Sequence, residues 1–222
     1  MDYKGLRFIS SGESTVKLKQ VGLPLAIRLE YSTDGTQWMS YTIDEKIDLA
    51  DGGFVLFRAG EPSNRVFSRD SENHYQFVIS GSVTAKGNIM SLFGRDFTAQ
   101  VPEYAFFALF KGCTSLLSAP ELPATTLKVG CYCKMFQGCT SLTSAPVLPA
   151  KDLVKDCYLL MFEGCSKLQY VKALFATEPS EGTTRDWLSG VAASGTFVKS
   201  KNATWNVTGV HGIPQGWKVE TE

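Results

Sequence analysis

The chain has 222 residues and equal numbers of basic and acidic side chains, 22 of each. That length allows one or two domains with a sizeable core, and a net charge of zero provides no field to steer the chain toward nucleic acid or an anionic membrane. The longest unbroken apolar run, Tyr104 to Phe110, falls far short of the roughly 20 residues needed to cross a bilayer, so neither nucleic-acid binding nor membrane insertion is expected.

The first thirty residues carry Lys4, Arg7, Glu13, Lys17, Lys19 and Arg28 with no apolar stretch between them, so no secretion signal is predicted there. Leu6-Arg-Phe-Ile, Thr15-Val-Lys-Leu-Lys and Ala26-Ile-Arg-Leu-Glu-Tyr alternate apolar with polar residues, which is the period of half-buried strands. Asp34-Gly35 joins Leu29-Glu-Tyr31 to Trp38-Met-Ser-Tyr41, and this dipeptide is a strong hairpin signal. With Phe54-Val-Leu-Phe-Arg and Tyr75-Gln-Phe-Val-Ile, and a polar loop over 61–73 between them, these segments predict an antiparallel, sandwich-like β-domain over residues 1–85.

The rhythm then changes. Leu109-Phe-Lys-Gly-Cys-Thr-Ser-Leu-Leu-Ser-Ala-Pro, Met135-Phe-Gln-Gly-Cys-Thr-Ser-Leu-Thr-Ser-Ala-Pro and Met161-Phe-Glu-Gly-Cys-Ser-Lys-Leu-Gln-Tyr-Val-Lys follow one another with a period of 26. A fixed period of this size predicts a solenoid, here over residues 86–175, in which each repeat buries its apolar face only against its neighbours. The invariant columns Phe110/Phe136/Phe162, Leu116/Leu142/Leu168 and Leu122/Leu148/Leu174 are expected to form its core. The varied columns, Lys111/Gln137/Glu163, Leu117/Thr143/Gln169 and Glu121/Val147/Ala173, are expected to face water. Cys-Tyr-x-x-Met-Phe predicts a short helical segment stopped at Gly112, Gly138 and Gly164, and Thr-Ser-Leu-x-Ser-Ala-Pro a short strand cut off by proline.

Residues 176–222 read as a degenerate repeat and a cap. Trp187, Leu188 and Gly190 lie one period beyond Met161, Phe162 and Gly164. The segments at Thr196, Thr204 and Gly216 predict short strands, with Trp205 and Trp217 covering the open end of the core. Five of the six cysteines obey the period, and Ala105 precedes Cys131 and Cys157 in their column, so the column is expected to hold small, buried, reduced thiols.

Nothing in the residue pattern requires catalysis. His74 and His211 lie in unlike segments, outside any metal or nucleophile motif, and are expected in exposed loops. Carboxylates are scattered, so no acid–base pair can be assembled. No catalytic residue, metal site or cofactor is expected, and the chain is read as a non-enzyme. Two binding surfaces are candidates. One is the exposed row of the repeats, with Leu117, Glu121, Thr143, Val147, Gln169 and Tyr170 in columns. The other is the hairpin trio Tyr31, Trp38 and Tyr41, whose rings could stack on sugars, against an ordinary role in the β-domain core.

The repeat Met-Phe-x-Gly-Cys-Thr-Ser-Leu-Thr-Ser-Ala-Pro-x-Leu-Pro-Ala at 135–150 resembles the BspA-type leucine-rich repeats of bacterial surface proteins. The whole layout is similar to a set of proteins of gut anaerobes and their phages: a Tyr-Ser-x-Asp-Gly-x-x-Trp hairpin, the repeats, then Trp187-Leu-Ser-Gly-Val and Gly212-Ile-Pro-Gln-Gly-Trp-Lys-Val. This resemblance implies an α+β, mainly β chain with a leucine-rich-repeat solenoid and C-terminal cap. It implies adhesion or recognition of a host or bacterial surface protein or glycan, and it supplies no catalytic residues. Location at the cell surface or outside the cell is expected if a signal peptide has been removed, and virion association otherwise. Lys172 stands where the repeat has Pro120 and Pro146. A phage tail or fibre receptor-binding component, which would favour an oligomer, and a glycan-active enzyme or its accessory module are the alternatives.

Overall fold

A computed structural model of the chain describes residues 5–64, 66–94 and 100–222. Arg65, in the polar loop predicted at 61–73, and residues 1–4 of the first predicted domain lie outside the described residues. Eight strands build the N-terminal part: β1 (Leu6–Ser10), β2 (Ser14–Val21), β3 (Leu29–Ser32), β4 (Met39–Ser40), β5 (Lys46–Leu49), β6 (Phe54–Ala59), β7 (His74–Ser80) and β8 (Val83–Lys86). The predicted alternation is realised directly: Leu6, Phe8, Val16, Leu18, Phe77 and Ile79 point inward, and Arg7, Lys17, Lys19 and Val78 do not. One sheet has the order β4-β3-β6-β1-β8, closed by β9 (Leu116–Ser118) from the first repeat, and the other has the order β5-β2-β7. Between them Phe8, Phe57 and Phe77 pack edge to face at 4.9 to 5.9 Å, a geometry favoured by the ring quadrupole.

The expected α+β architecture with a leucine-rich-repeat solenoid is not what the chain forms. The described residues are nearly all-β: twelve strands lie in three separate sheets, and the only helical elements are two single turns, a 3-10 turn at Ile89–Leu92 and α1 at Glu181–Thr184. Among the described residues there is no closed barrel and no solenoid of helix–strand units. Where the sequence predicts a helical segment in each repeat, the backbone makes consecutive tight turns. Phe107, Leu109 and Lys111 donate to the carbonyls three residues back, while Phe106, Ala108 and Phe110 donate to Cys131, Cys133 and Met135 of the next repeat. Every second N–H is thus diverted to the neighbouring layer, which a helix's own ladder does not permit. The diversion requires left-handed residues four apart, and these are mostly not glycine: Tyr104, Ala108 and Gly112, then Gly130, Lys134 and Gly138, then Asp156, Leu160 and Gly164. The same pattern recurs between the second and third repeats and again with Trp187 and Ser189.

The layers stack in register all the same. Phe110, Phe136 and Phe162 lie face to face at 5.4 and 5.5 Å, with ring planes 2° and 3° apart. Phe77 of β7 starts this column at 5.3 Å from Phe110, so the β-sandwich and the repeats share one continuous core. A second column, Phe106, Tyr132, Tyr158 and Trp187, runs beside it at 5.9 to 6.2 Å. All six cysteines are buried and unpaired. The thiols of Cys113, Cys139 and Cys165 donate to the carbonyls of Phe77, Phe110 and Phe136 at 3.0 to 3.2 Å.

The strand side of the layers is interrupted. The first repeat gives three-residue β9, the second only isolated bridges at Ser144 and Leu148, and the third a four-residue strand, β10 (Tyr170–Ala173). Pro120 and Pro146 have no N–H to donate. Lys172 removes that block, and β10 pairs in parallel with β11 (Thr196–Lys199), which pairs with β12 (Lys218–Thr221). The regular pairing brings a shift of one residue. Leu148 bridges Ala173, not Leu174, so Ala173 and Phe175 are buried and Leu174 is only partly covered. The expected third leucine column therefore ends at Leu148, and Ala173, expected to face water, lies in the core. At the C-terminal end Trp205 stacks on Phe175 at 5.2 Å, and the Trp217 indole donates to the Ala192 carbonyl at 2.8 Å. The segment at Thr204 forms no strand.

Candidate functional site

The exposed row lies on the strand side of the layers. Gln169 donates to the Thr143 carbonyl at 3.0 Å, Ala145 donates to the Tyr170 carbonyl at 2.9 Å, and Thr196 donates to the Gln169 carbonyl at 2.8 Å. These bonds place Thr143, Gln169 and Tyr170 side by side on fixed backbone, each side chain exposed. Leu117 is 38% exposed, Val147 48% and Tyr170 38%. They belong to three successive layers but to three different columns, so each is a separate apolar side chain among polar neighbours. Glu121 is exposed as well, and its backbone bonds to Gly87 and Ile89 at the start of the stack.

The hairpin trio is arranged differently. Tyr41 is buried: its hydroxyl accepts from the Leu18 N–H at 2.8 Å and donates to the Glu45 carbonyl at 2.6 Å. Burial pushes that phenol up to about 12. Tyr31 packs edge-on against Tyr41 at 5.9 Å and reaches the Glu45 carboxylate at 3.3 Å. The Arg58 guanidinium lies 3.8 Å over the Trp38 ring and is held there by Glu30 at 2.6 Å. Two of the three rings are thus engaged within the β-domain and one face of the third is covered, so the trio does not present three open stacking faces. The turn itself is set by Asp34, whose carboxylate accepts from the Thr36 and Gln37 N–H groups at 2.7 and 2.8 Å. Those bonds, that of Gln37 first, hold its carboxyl down at about 2.

His74 is not in an exposed loop. It begins β7, is buried, and packs edge-on against Phe107 at 5.1 Å. His211 is partly covered beside the cap. Burial raises the thiols, Cys113, Cys133, Cys157 and Cys165 to about 12. Among the described residues no group of three or more His, Cys, Asp or Glu side chains could hold a metal ion, and no helix is long and apolar enough to cross a membrane. Sequence reasoning missed one concavity, between β7 and the first repeat, whose lysines come from positions 19, 111 and 134. Residues so far apart leave no local motif. Comparison with known proteins found no matching family model, no matching curated protein and no matching solved structure.

Proposed function

We propose that the chain is a non-enzymatic recognition module that engages a surface protein or glycan through the exposed row at Leu117, Thr143, Val147, Gln169 and Tyr170. The observation that carries this reading is the exposure of Leu117, Val147 and Tyr170 on backbone that interlayer hydrogen bonds hold in place. A surface ordered before binding loses little conformational freedom on binding, and a tyrosine beside amide and hydroxyl groups offers both stacking area and hydrogen bonds. The likeness of the 135–150 segment to repeats of bacterial surface proteins supports adhesion at a cell surface, with the chain outside the cytoplasm.

The test is binding of labelled protein to intact gut bacteria, mucosal cells and immobilised glycans, beside a folded variant with Thr143, Gln169 and Tyr170 changed to Ala. Selective binding that weakens roughly tenfold or more in the variant is expected, in line with the loss of a central aromatic anchor. Binding of undiminished strength by a variant with an unchanged melting curve would refute the assignment.

A further inference from the structure

We propose that the cleft between the outer face of β2 and β7 and the first repeat binds a tetrahedral oxyanion, the sulfate or phosphate group of a larger ligand or of the free ion. The cleft has a volume of about 290 Å³ and is lined by Lys19, Ser71, His74, Gln76, Lys111 and Lys134, among others. Lys19 and Gln76 are cross-strand partners on β2 and β7. Phe77 of β7 donates to the Leu109 carbonyl, which draws the first repeat alongside and brings Lys111 to the same opening. Lys134 comes from the second repeat, its ammonium 5.6 Å from the centre of the Phe107 ring.

Three lysines therefore line a concavity whose lining contains no carboxylate. Among the described residues none of the three lysines forms an ion pair. The chain has as many acidic as basic residues, so composition does not force this accumulation, and each lysine is repelled by the other two. The nearest acid, Asp70, is occupied. Its carboxylate accepts from the N–H groups of Glu72 and Asn73 at 2.8 Å each and from the Asn73 side chain at 3.0 Å. At the back of the cleft stands His74, 6% exposed, with its Nδ1 buried and without a hydrogen-bond partner. Burial first, then the charges of Lys111 and Lys19, hold that imidazole below its usual range, with Asp70 opposing them and Lys134 adding least. A doubly charged oxyanion there would relieve the repulsion, take hydrogen bonds from ammonium and Ser71 hydroxyl donors, and favour a protonated His74.

The cleft shares no residue with the exposed row, so this inference and the recognition reading stand or fall separately. The test titrates the full chain with sodium sulfate, glucose 6-sulfate, glucose 6-phosphate and, as a control, acetate, all at one ionic strength, following amide and imidazole resonances. Saturable shifts at Ser71, His74 and Lys111 with the tetrahedral anions, but not with acetate, are expected. Lys111→Gln and Lys134→Gln should each weaken binding about tenfold, since a hydrogen bond to a charged group is worth roughly that factor. Lys167→Gln, on the exposed surface elsewhere, and the Thr143, Gln169, Tyr170 triple variant should bind as the parent does. Tighter binding of the sugar esters than of sulfate would identify an ester as the ligand, and equal binding the free ion. Shifts that never saturate, that acetate reproduces, or that persist in a folded Lys111→Gln, Lys134→Gln double variant would overturn the proposal.

Discussion

Phe136 sits in the middle of the phenylalanine column, fully buried, with a parallel ring on either side at 5.4 and 5.5 Å. Truncating it to Ala deletes a whole buried ring, for which about 3–5 kcal/mol is typical. Phe136→Leu keeps most of the volume and isolates the stacking: two ring pairs at roughly 0.5–1.5 kcal/mol each give a loss of about 1–3 kcal/mol. In a chain of this size each kcal/mol lowers the melting midpoint by about 2–4 °C. Phe136→Ala should therefore melt roughly 6–20 °C below the parent, and Phe136→Leu roughly 2–12 °C below. Thermal unfolding followed by far-UV circular dichroism, with urea unfolding in parallel, reads both values. A shift under about 2 °C for Phe136→Ala would refute the stacked column as a source of stability. A Phe136→Leu midpoint unchanged from the parent's would refute a separate contribution from ring stacking.

Three further outcomes follow from the same geometry. Lys172→Pro restores the residue of the first two repeats, takes an N–H out of β10 and should destabilise by about 1–3 kcal/mol; an unchanged denaturation midpoint would show that β10 contributes nothing. The native protein should leave its six thiols almost unlabelled by a maleimide at neutral pH, and the denatured protein should react at all six; prompt labelling of most sites in the native state would contradict their burial. Asp34 has a folded pKa below its ordinary value of 3.8, so its contribution is present above that value and is lost as pH falls toward about 2. Carbon-13 detection of its carboxyl should place the midpoint near 2, and Asp34→Asn should remove that titration; a midpoint at 3.8 would mean that the two N–H bonds do not form.

Much of the arrangement was legible because side-chain periods reveal burial. The alternation in residues 6–19 placed β1 and β2, the 26-residue columns gave Phe110, Phe136 and Phe162, and the aromatic residues of the tail marked the cap. What escaped has a common cause. Left-handed backbone is usually announced by glycine, but here Tyr104, Ala108, Lys134, Asp156 and Leu160 adopt it, at a cost of roughly 1 kcal/mol or more each, offset by N–H groups bonded to the next layer. A single repeat cannot show that compensation, so it reads as a helix. The slip between Leu148 and Ala173 likewise depends on pairing with β11, a partner remote in sequence. Of the candidate surfaces, the row at Thr143, Gln169 and Tyr170 was visible as variable columns. The lysine cleft was not, because its charges meet only after β7 aligns with the first repeat.

The sulfur atoms carry a consequence for where such a chain can work. Each thiol of the Cys113, Cys139 and Cys165 series is tied to a backbone carbonyl and buried behind an aromatic ring column, and nucleophilic attack on an oxidant or a disulfide requires an accessible thiolate. With the thiols protonated and covered, and no cross-link to be reduced, the folded chain offers no cysteine sulfur for glutathione or an oxidant to act on. Its cysteines are therefore neutral toward redox potential: once the chain is folded, they stay reduced thiols in a reducing or an oxidising medium alike.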